Sequence, residues 1–141
     1  MQSTSHAPAN ANDAGKLVLR AVLAAMLLFH GISKLQHGIG FVADVLAKAG
    51  LPAVFGYAVY VGEVIAPLLM LIGLFTRVAA LIVAINMIVA LSLVHTSQFF
   101  TLNDTGGWAL ELQAMYFFTA VAVALLGAGR YSAGGVNGRY N

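Results

Sequence analysis

The stretch Leu17 to Gln36, LVLRAVLAAMLLFHGISKLQ, is long and apolar enough to cross a bilayer, yet it carries Arg20, His30 and Lys34. At ~100° per residue Lys34 lies about 40° from His30, and Arg20 about 80° from it. The three therefore share one stripe, filled in by Leu23 and Leu27. An ionisable stripe on a lipid-soluble helix has to face protein or water, not acyl chains. The remaining apolar runs are what this stripe packs against.

Composition agrees with that reading. Only 9% of the chain is charged and 60% is hydrophobic, whereas soluble domains are ~25% charged. Such a chain cannot cover a water-facing surface, so an integral membrane protein is expected and the lipid bilayer is its first partner. The net charge of +2 is small and its basic residues are dispersed, which excludes a nucleic-acid footprint. The absence of cysteine excludes disulfides, thiolate metal sites and dithiol relays. Any redox chemistry needs a bound cofactor or a partner.

Residues 1–16 are small, polar and Pro-containing and are expected to form a disordered cytoplasmic tail. They lack a basic n-region, so a cleaved signal peptide is not expected. The domain itself spans 17–128. Helix 1 covers Leu17 to Gln36. Phe41, Val42, Val45, Leu46 and Ala49 then recur at helical spacing, with Asp44 and Lys48 opposite. This predicts a short amphipathic helix at the membrane surface, the plainer alternative being a loop. Helix 2 covers Ala53 to Phe75, with Thr76-Arg77 as a tight turn. Helix 3 covers Val78 to Thr96. Asn103 to Gly107 has strong turn chemistry. Helix 4 covers Trp108 to Ala128, and residues 129–141 are expected to be a flexible cytoplasmic tail. The fold class is all-α: an integral membrane four-helix antiparallel bundle with a short amphipathic interfacial helix between helices 1 and 2. Lys16, Arg20, Arg77, Arg130 and Arg139 lie on one side and Lys34 and Lys48 on the other, which puts both termini in the cytoplasm.

The polar residues gather in one half of the bundle. At ~1.5 Å per residue, Glu63 lies ~15 Å from the outer end of helix 2, close to the midplane. His30 and Lys34 lie ~9 Å and ~3 Å in on helix 1, and Glu111 ~5 Å in on helix 4. His95 falls in the last turn of helix 3. A carboxylate near the midplane costs roughly 2.5–3.5 kcal/mol on insertion scales, so Glu63 must be paired or protonated. Its own helix face carries Gly56, Tyr60, Ala66, Pro67 and Met70. Pro67 cannot donate to the carbonyl of Glu63, which leaves a free carbonyl and a carboxyl at one residue. Candidate proton-exchange residues are Glu63, His30 and Lys34. Candidate pocket residues are His30, Lys34, Glu63, Tyr60, His95 and Glu111. The structural alternative is that Glu63 pairs with Lys34 or His30 and only holds two helices together. Snorkelling of Lys34, a core role for His30, and water-facing or interfacial roles for His95 and Glu111 stay open. Asn86, 180° from His95, is expected to be an interhelical hydrogen-bond link. Phe99, Phe100, Trp108, Tyr116, Phe117 and Phe118 read mostly as lipid-facing or belt residues, with a minority available to line a flat apolar pocket. No metal-ligand spacing or haem attachment signature is present, and no metal is expected.

Several segments are similar to those of a known family. Arg20, Phe29-His30-Gly31-Ile32-Ser33-Lys34-Leu35, Gly62-Glu63, Leu71-Ile72-Gly73-Leu74-Phe75-Thr76-Arg77 and Leu126-Gly127-Ala128-Gly129-Arg130-Tyr131-Ser132 stand in an order and spacing that resembles the DoxX family of small bacterial membrane proteins. The resemblance covers Leu17 to Ser132. Family members often carry an acid shortly after the closing Ser; here Ala133-Gly134-Gly135 stands instead. The resemblance implies a four-helix protein of the bacterial inner membrane. Some relatives look like quinone-linked oxidoreductase subunits, and others are associated with redox-stress complexes or accompany soluble enzymes.

The functional expectation is a DoxX-like membrane subunit associated with an oxidoreductase system. It would bind quinone in the outer half of the bundle and have no intrinsic cofactor. Its partner would be an oxidoreductase subunit, with a homo-oligomer left open. Whether the chain is itself an enzyme is not decided. The alternative is a non-catalytic membrane anchor or assembly factor for a partner protein. A small-solute transporter is weaker, because the two halves show no symmetry.

Overall fold

The structure, a computed structural model, describes residues 11–141. Five helices organise it: α1 (Ala11–His37), α2 (Gly40–Lys48), α3 (Ala53–Ile72), α4 (Thr76–Val94) and α5 (Glu111–Leu126). Among the described residues the only β pairing is an isolated bridge between Leu102 and Trp108. The fold is all-α, as expected.

Helix α1 begins at Ala11, inside the segment expected to be disordered. Asp13 sits in its first turn, where a carboxylate suits the helix dipole, and accepts a hydrogen bond from the Arg130 backbone N–H. Residues 1–10 lie outside the described residues. The buried stripe of α1 is Arg20, Leu23, Ala24, Leu27 and Gly31. Gly38, at φ +81°, closes the helix by donating its N–H to the Lys34 carbonyl.

Helix α2 turns Leu46 into the protein and packs on the first turns of α3 around the buried Gly56. Helix α3 is not a uniform α-helix. It opens as a 3-10 turn (Ala53–Tyr57), widens to a π segment (Val61–Ile65) and returns to α geometry at Ala66. Pro67 explains the widening. It has no N–H, and its ring would collide with the carbonyl of Glu63 in a regular helix, so the turn before it expands. The helix stops at Ile72, short of the expected Phe75. Gly73 and Phe75 are both left-handed there (φ +79° and +48°), and they, not Thr76-Arg77, make the turn into α4.

Helix α5 spans only Glu111–Leu126, shorter at both ends than expected. Among the described residues three helices, α1, α3 and α4, are long and apolar enough to cross a membrane, and α5 is a shorter apolar helix. Residue pairs fix their directions. Arg20 near the start of α1 reaches Met70 and Leu71 at the end of α3, while Lys34 near its end reaches Glu63. Arg77 at the start of α4 reaches Ala124 and Leu125 at the end of α5, while His95 beyond the end of α4 meets Gln113. Each of these neighbouring pairs therefore runs in opposite directions.

The core is built largely from small residues: Ala24, Ala66, Ala79, Ala80, Ala84 and Ala120 interleave with Leu27, Met70, Val83 and Val123. Small side chains let helices approach closely where apolar lipid offers no hydrophobic drive for their association. The outward faces carry large apolar side chains, among them Phe29, Ile32, Leu81, Ile88, Phe118 and Leu125. An exterior of this kind suits lipid and not water, and makes this a multi-pass membrane protein.

Residues 129–141 are not a flexible tail. Ala133 and Gly134 donate backbone hydrogen bonds to Ile72 and Gly73, and the Arg77 backbone donates to Tyr140. The Asn141 side chain accepts from both the backbone and the hydroxyl of Thr76. The segment lacks apolar periodicity, so its order comes from polar bonds to helix ends.

Candidate functional site

The site begins where α1 crosses α3. A Cβ added at Gly31 would collide with the carbonyl oxygen of Glu63 and with the Val64 side chain. The absence of a side chain at Gly31 therefore lets the two backbones touch at the Glu63 carbonyl. One turn further on, Lys34 Nζ meets Glu63 Oε2 at 2.5 Å, with the two side chains 24% and 10% exposed. The Tyr60 hydroxyl donates to the Lys34 backbone carbonyl at 3.0 Å and fixes the end of α1. Of the two pairings open for Glu63, the structure has Lys34 and not His30.

His30 instead donates Nδ1–H to the Met26 carbonyl at 3.0 Å, since a carbonyl can only accept. Its ring stands edge-on to Tyr116, with centroids 6.0 Å apart. On the opposite wall, His95 Nδ1 pairs with Gln98 Oε1 at 2.8 Å, and its Nε2 faces the Gln113 amide at 3.4 Å. The Gln113 Oε1 is buried without a hydrogen-bond partner among the described residues. Gly62 abuts the Asn86 side chain, where a Cβ would collide.

Between these walls lies a cavity of about 520 Å³. Its polar lining is Lys34, Glu63, His30, Asn86, Gln113 and His95; apolar residues from α2, α3 and α4 make up most of the rest. The structure thus gathers four of the expected pocket residues, His30, Lys34, Glu63 and His95, around one space. Tyr60 does not line it and acts from behind, through the Lys34 carbonyl. Glu111 is elsewhere: it is exposed at the start of α5 and accepts a hydrogen bond from Asn103. Among the described residues Asn86 makes no side-chain hydrogen bond and so is not the expected interhelical link; it lies on the wall. It shares the cavity with His95 despite their half-turn phase difference because α4 ends at Val94. His95, at φ −114°, has left the helical phase. Gln113 carries no signal in the sequence as a pocket residue, and Tyr116 is one of the aromatics there that lines the pocket and does not face lipid alone. Among the described residues no three His, Asp or Glu side chains gather as a metal would require.

Arg20, outside this cluster, is almost fully buried. Its guanidinium donates to the carbonyls of Met70, Leu71, Ala128 and Tyr131. These lie at or just past the C-terminal ends of α3 and α5, where unpaired carbonyls carry partial negative charge. This cation is satisfied by backbone and belongs to the opposite end of the molecule from the cavity.

Comparison with known proteins places this architecture. A Bacillus subtilis (strain 168) protein named "Putative oxidoreductase CatD" is 28% identical over 116 residues, which is 82% of this chain and 81% of that protein. No solved structure matches the chain. The DoxX family model matches residues 15–96, a span that holds most of α1 and all of α2 to α4, with Arg20, Lys34, Glu63 and His95. The chain belongs to the DoxX family.

Proposed function

We propose that the protein is a membrane subunit associated with an oxidoreductase system, and that its cavity binds the ring of a quinone. The observation that carries this is the joining of Lys34, Glu63, His30 and Asn86 on the wall of one largely apolar space of about 520 Å³. Small-molecule sites span ~300–1,000 Å³ and combine apolar walls with a few convergent polar groups. A quinone ring asks for donors at its oxygens and flat apolar flanks. The Lys34 ammonium has three N–H donors, one of them engaged by Glu63, and the Asn86 amide has two more. Phe41 and Tyr116 supply aromatic surface. Bound quinone would bring two-electron, two-proton chemistry; the chain's own residues orient the ring and hold protons. With Nδ1–H given to Met26, Nε2 is the His30 ring nitrogen left for proton exchange. Glu63, bridged to Lys34, is the second proton holder. Electrons come from a partner protein, which the name of the Bacillus subtilis relative supports. The excess of Lys and Arg at the end that holds Arg20, Arg77 and Arg130 supports a bacterial inner-membrane location with both termini cytoplasmic.

Titrating the detergent-purified protein with decylubiquinone tests this. Wild type binds saturably, and Lys34→Met weakens binding roughly tenfold or more, the worth of one charge-assisted hydrogen bond. A wild-type titration without saturation rejects the quinone reading. The anchor or assembly reading is favoured by the same ion pair standing beside the tight Gly31 crossing. Under it, Glu63→Gln lowers folded yield and partner recovery and leaves a partner's turnover unchanged.

A further inference from the structure

The cavity is enclosed on three of its helix–helix seams by specific links. The α1–α3 seam is shut by the Lys34–Glu63 pair and the Tyr60 hydroxyl on the Lys34 carbonyl. The α1–α5 seam is shut by His30 against Tyr116. The α4–α5 seam is shut by His95 against Gln113. Among the described residues the fourth seam, between α3 and α4, has no such link on the cavity side of the Gly62–Asn86 contact. There α4 packs on the Val61–Ile72 part of α3, while the Ala53–Tyr60 turns lean on α2 instead.

The residues bordering this open seam have a double character. Ile85 and Val89 of α4 and Phe55 of α3 line the cavity and are at the same time 59%, 47% and 59% exposed, so the cavity is open where they stand. They belong at once to the cavity wall and to the lipid-facing exterior. The geometry points to a lateral window: the cavity opens sideways into the bilayer between α3 and α4, beneath α2, and admits the apolar chain of a membrane lipid. Water-borne ligands are poorly served by this route, because its rim is wholly aliphatic and aromatic. A single-headed amphiphile fits it, with the head at Lys34 and Glu63 across the cavity and the tail lying out between Ile85 and Phe55. The inference rests on the cavity being the ligand site; it does not rest on quinone being the ligand.

Photolabelling tests it on the whole protein. The wild type is reconstituted into phosphatidylcholine vesicles containing a phospholipid with a diazirine in mid acyl chain, irradiated, and mapped by peptide mass spectrometry. Label is expected on Leu46, Gly56 and Met87, which line the cavity and are buried from the exterior. Ile85→Trp, a larger side chain on the rim, is expected to cut that labelling several-fold and to leave labelling of Phe118 and Leu125 unchanged, which also reports that the variant is folded. Label confined to outward residues in the wild type overturns the window. So does interior label that Ile85→Trp does not reduce. Interior labelling that decylubiquinone fails to displace upholds the window and counts against the quinone reading alone, so the two failures are told apart.

Discussion

Lys34 and Glu63 form the only ion pair that brings α1 and α3 together among the described residues, and removing one partner leaves the other poorly solvated. Breaking such a pair on one side costs more than replacing both members, because the lone charge has no compensation. Lys34→Met and Glu63→Gln are each expected to lower stability in detergent by up to about 3 kcal/mol, and the double variant by less than the sum of the two. Thermal unfolding of the four proteins in the cycle measures this; additive losses would mean that the pair is not coupled. Gly31 makes a second residue-scale case. Gly31→Ala drives a methyl into backbone and is expected to cost about 1–3 kcal/mol. Gly15→Ala, on the same helix with nothing within 4 Å, is expected to gain up to about 1 kcal/mol. The sequence made the charged residues conspicuous, since ionisable groups in apolar helices are few. It did not make Gly31 or Gln113 conspicuous, because their roles arise only from what stands opposite them.

Among the elements, α3 departs most from expectation, and the departure centres on Pro67. That Pro67 cannot donate to the Glu63 carbonyl was legible from the missing N–H. That the helix would widen into a π segment, and that the carbonyl would face Gly31, was not, because both depend on the packing of α1. The π segment sets the rotational phase of everything before it, including Glu63. Restoring a donor with Pro67→Ala allows regular α geometry and turns Glu63 away from Lys34. Far-UV circular dichroism should stay within a few per cent of wild type, by the cooperative stability of a packed helix, while decylubiquinone binding falls roughly tenfold. Unchanged binding would show that the π segment does not place Glu63. The long helices were legible because bilayer thickness fixes their length. The boundaries were less so: α4 ends where His95 leaves the helical phase, and that single turn decides whether His95 and Asn86 share a wall.

For the whole molecule, the two ends are held by opposite means. The cavity end depends on side chains meeting one another, and the other end on cations meeting backbone carbonyls. Arg20 ties the ends of α3 and α5 to the segment past Ala128, and Arg77 adds bonds to Ala124, Leu125 and Asn141. Glycine and polar residues without periodicity make the closing segment look flexible in the sequence. Its order is non-local: it is imposed by Arg20, more than a hundred positions earlier. The planar guanidinium meets four carbonyls spread across two helix ends, a geometry that a lysine ammonium cannot reproduce. Arg20→Lys is therefore expected to keep the charge and lose the latch, at a cost of roughly 2–4 kcal/mol if one or two charged hydrogen bonds are forfeited. Limited trypsinolysis reads this directly, because Arg130 and Arg139 lie in the latched segment and act as cleavage sites. Opening the latch by that amount multiplies the exposed population at least about tenfold, so cleavage at Arg130 should accelerate by the same factor. Cleavage should be unaffected in Lys34→Met, whose defect lies at the other end. Equal cleavage rates for wild type and Arg20→Lys would mean that Arg77 and Asn141 suffice to close this end of the bundle, and that the burial of Arg20 serves the α1–α3 contact alone.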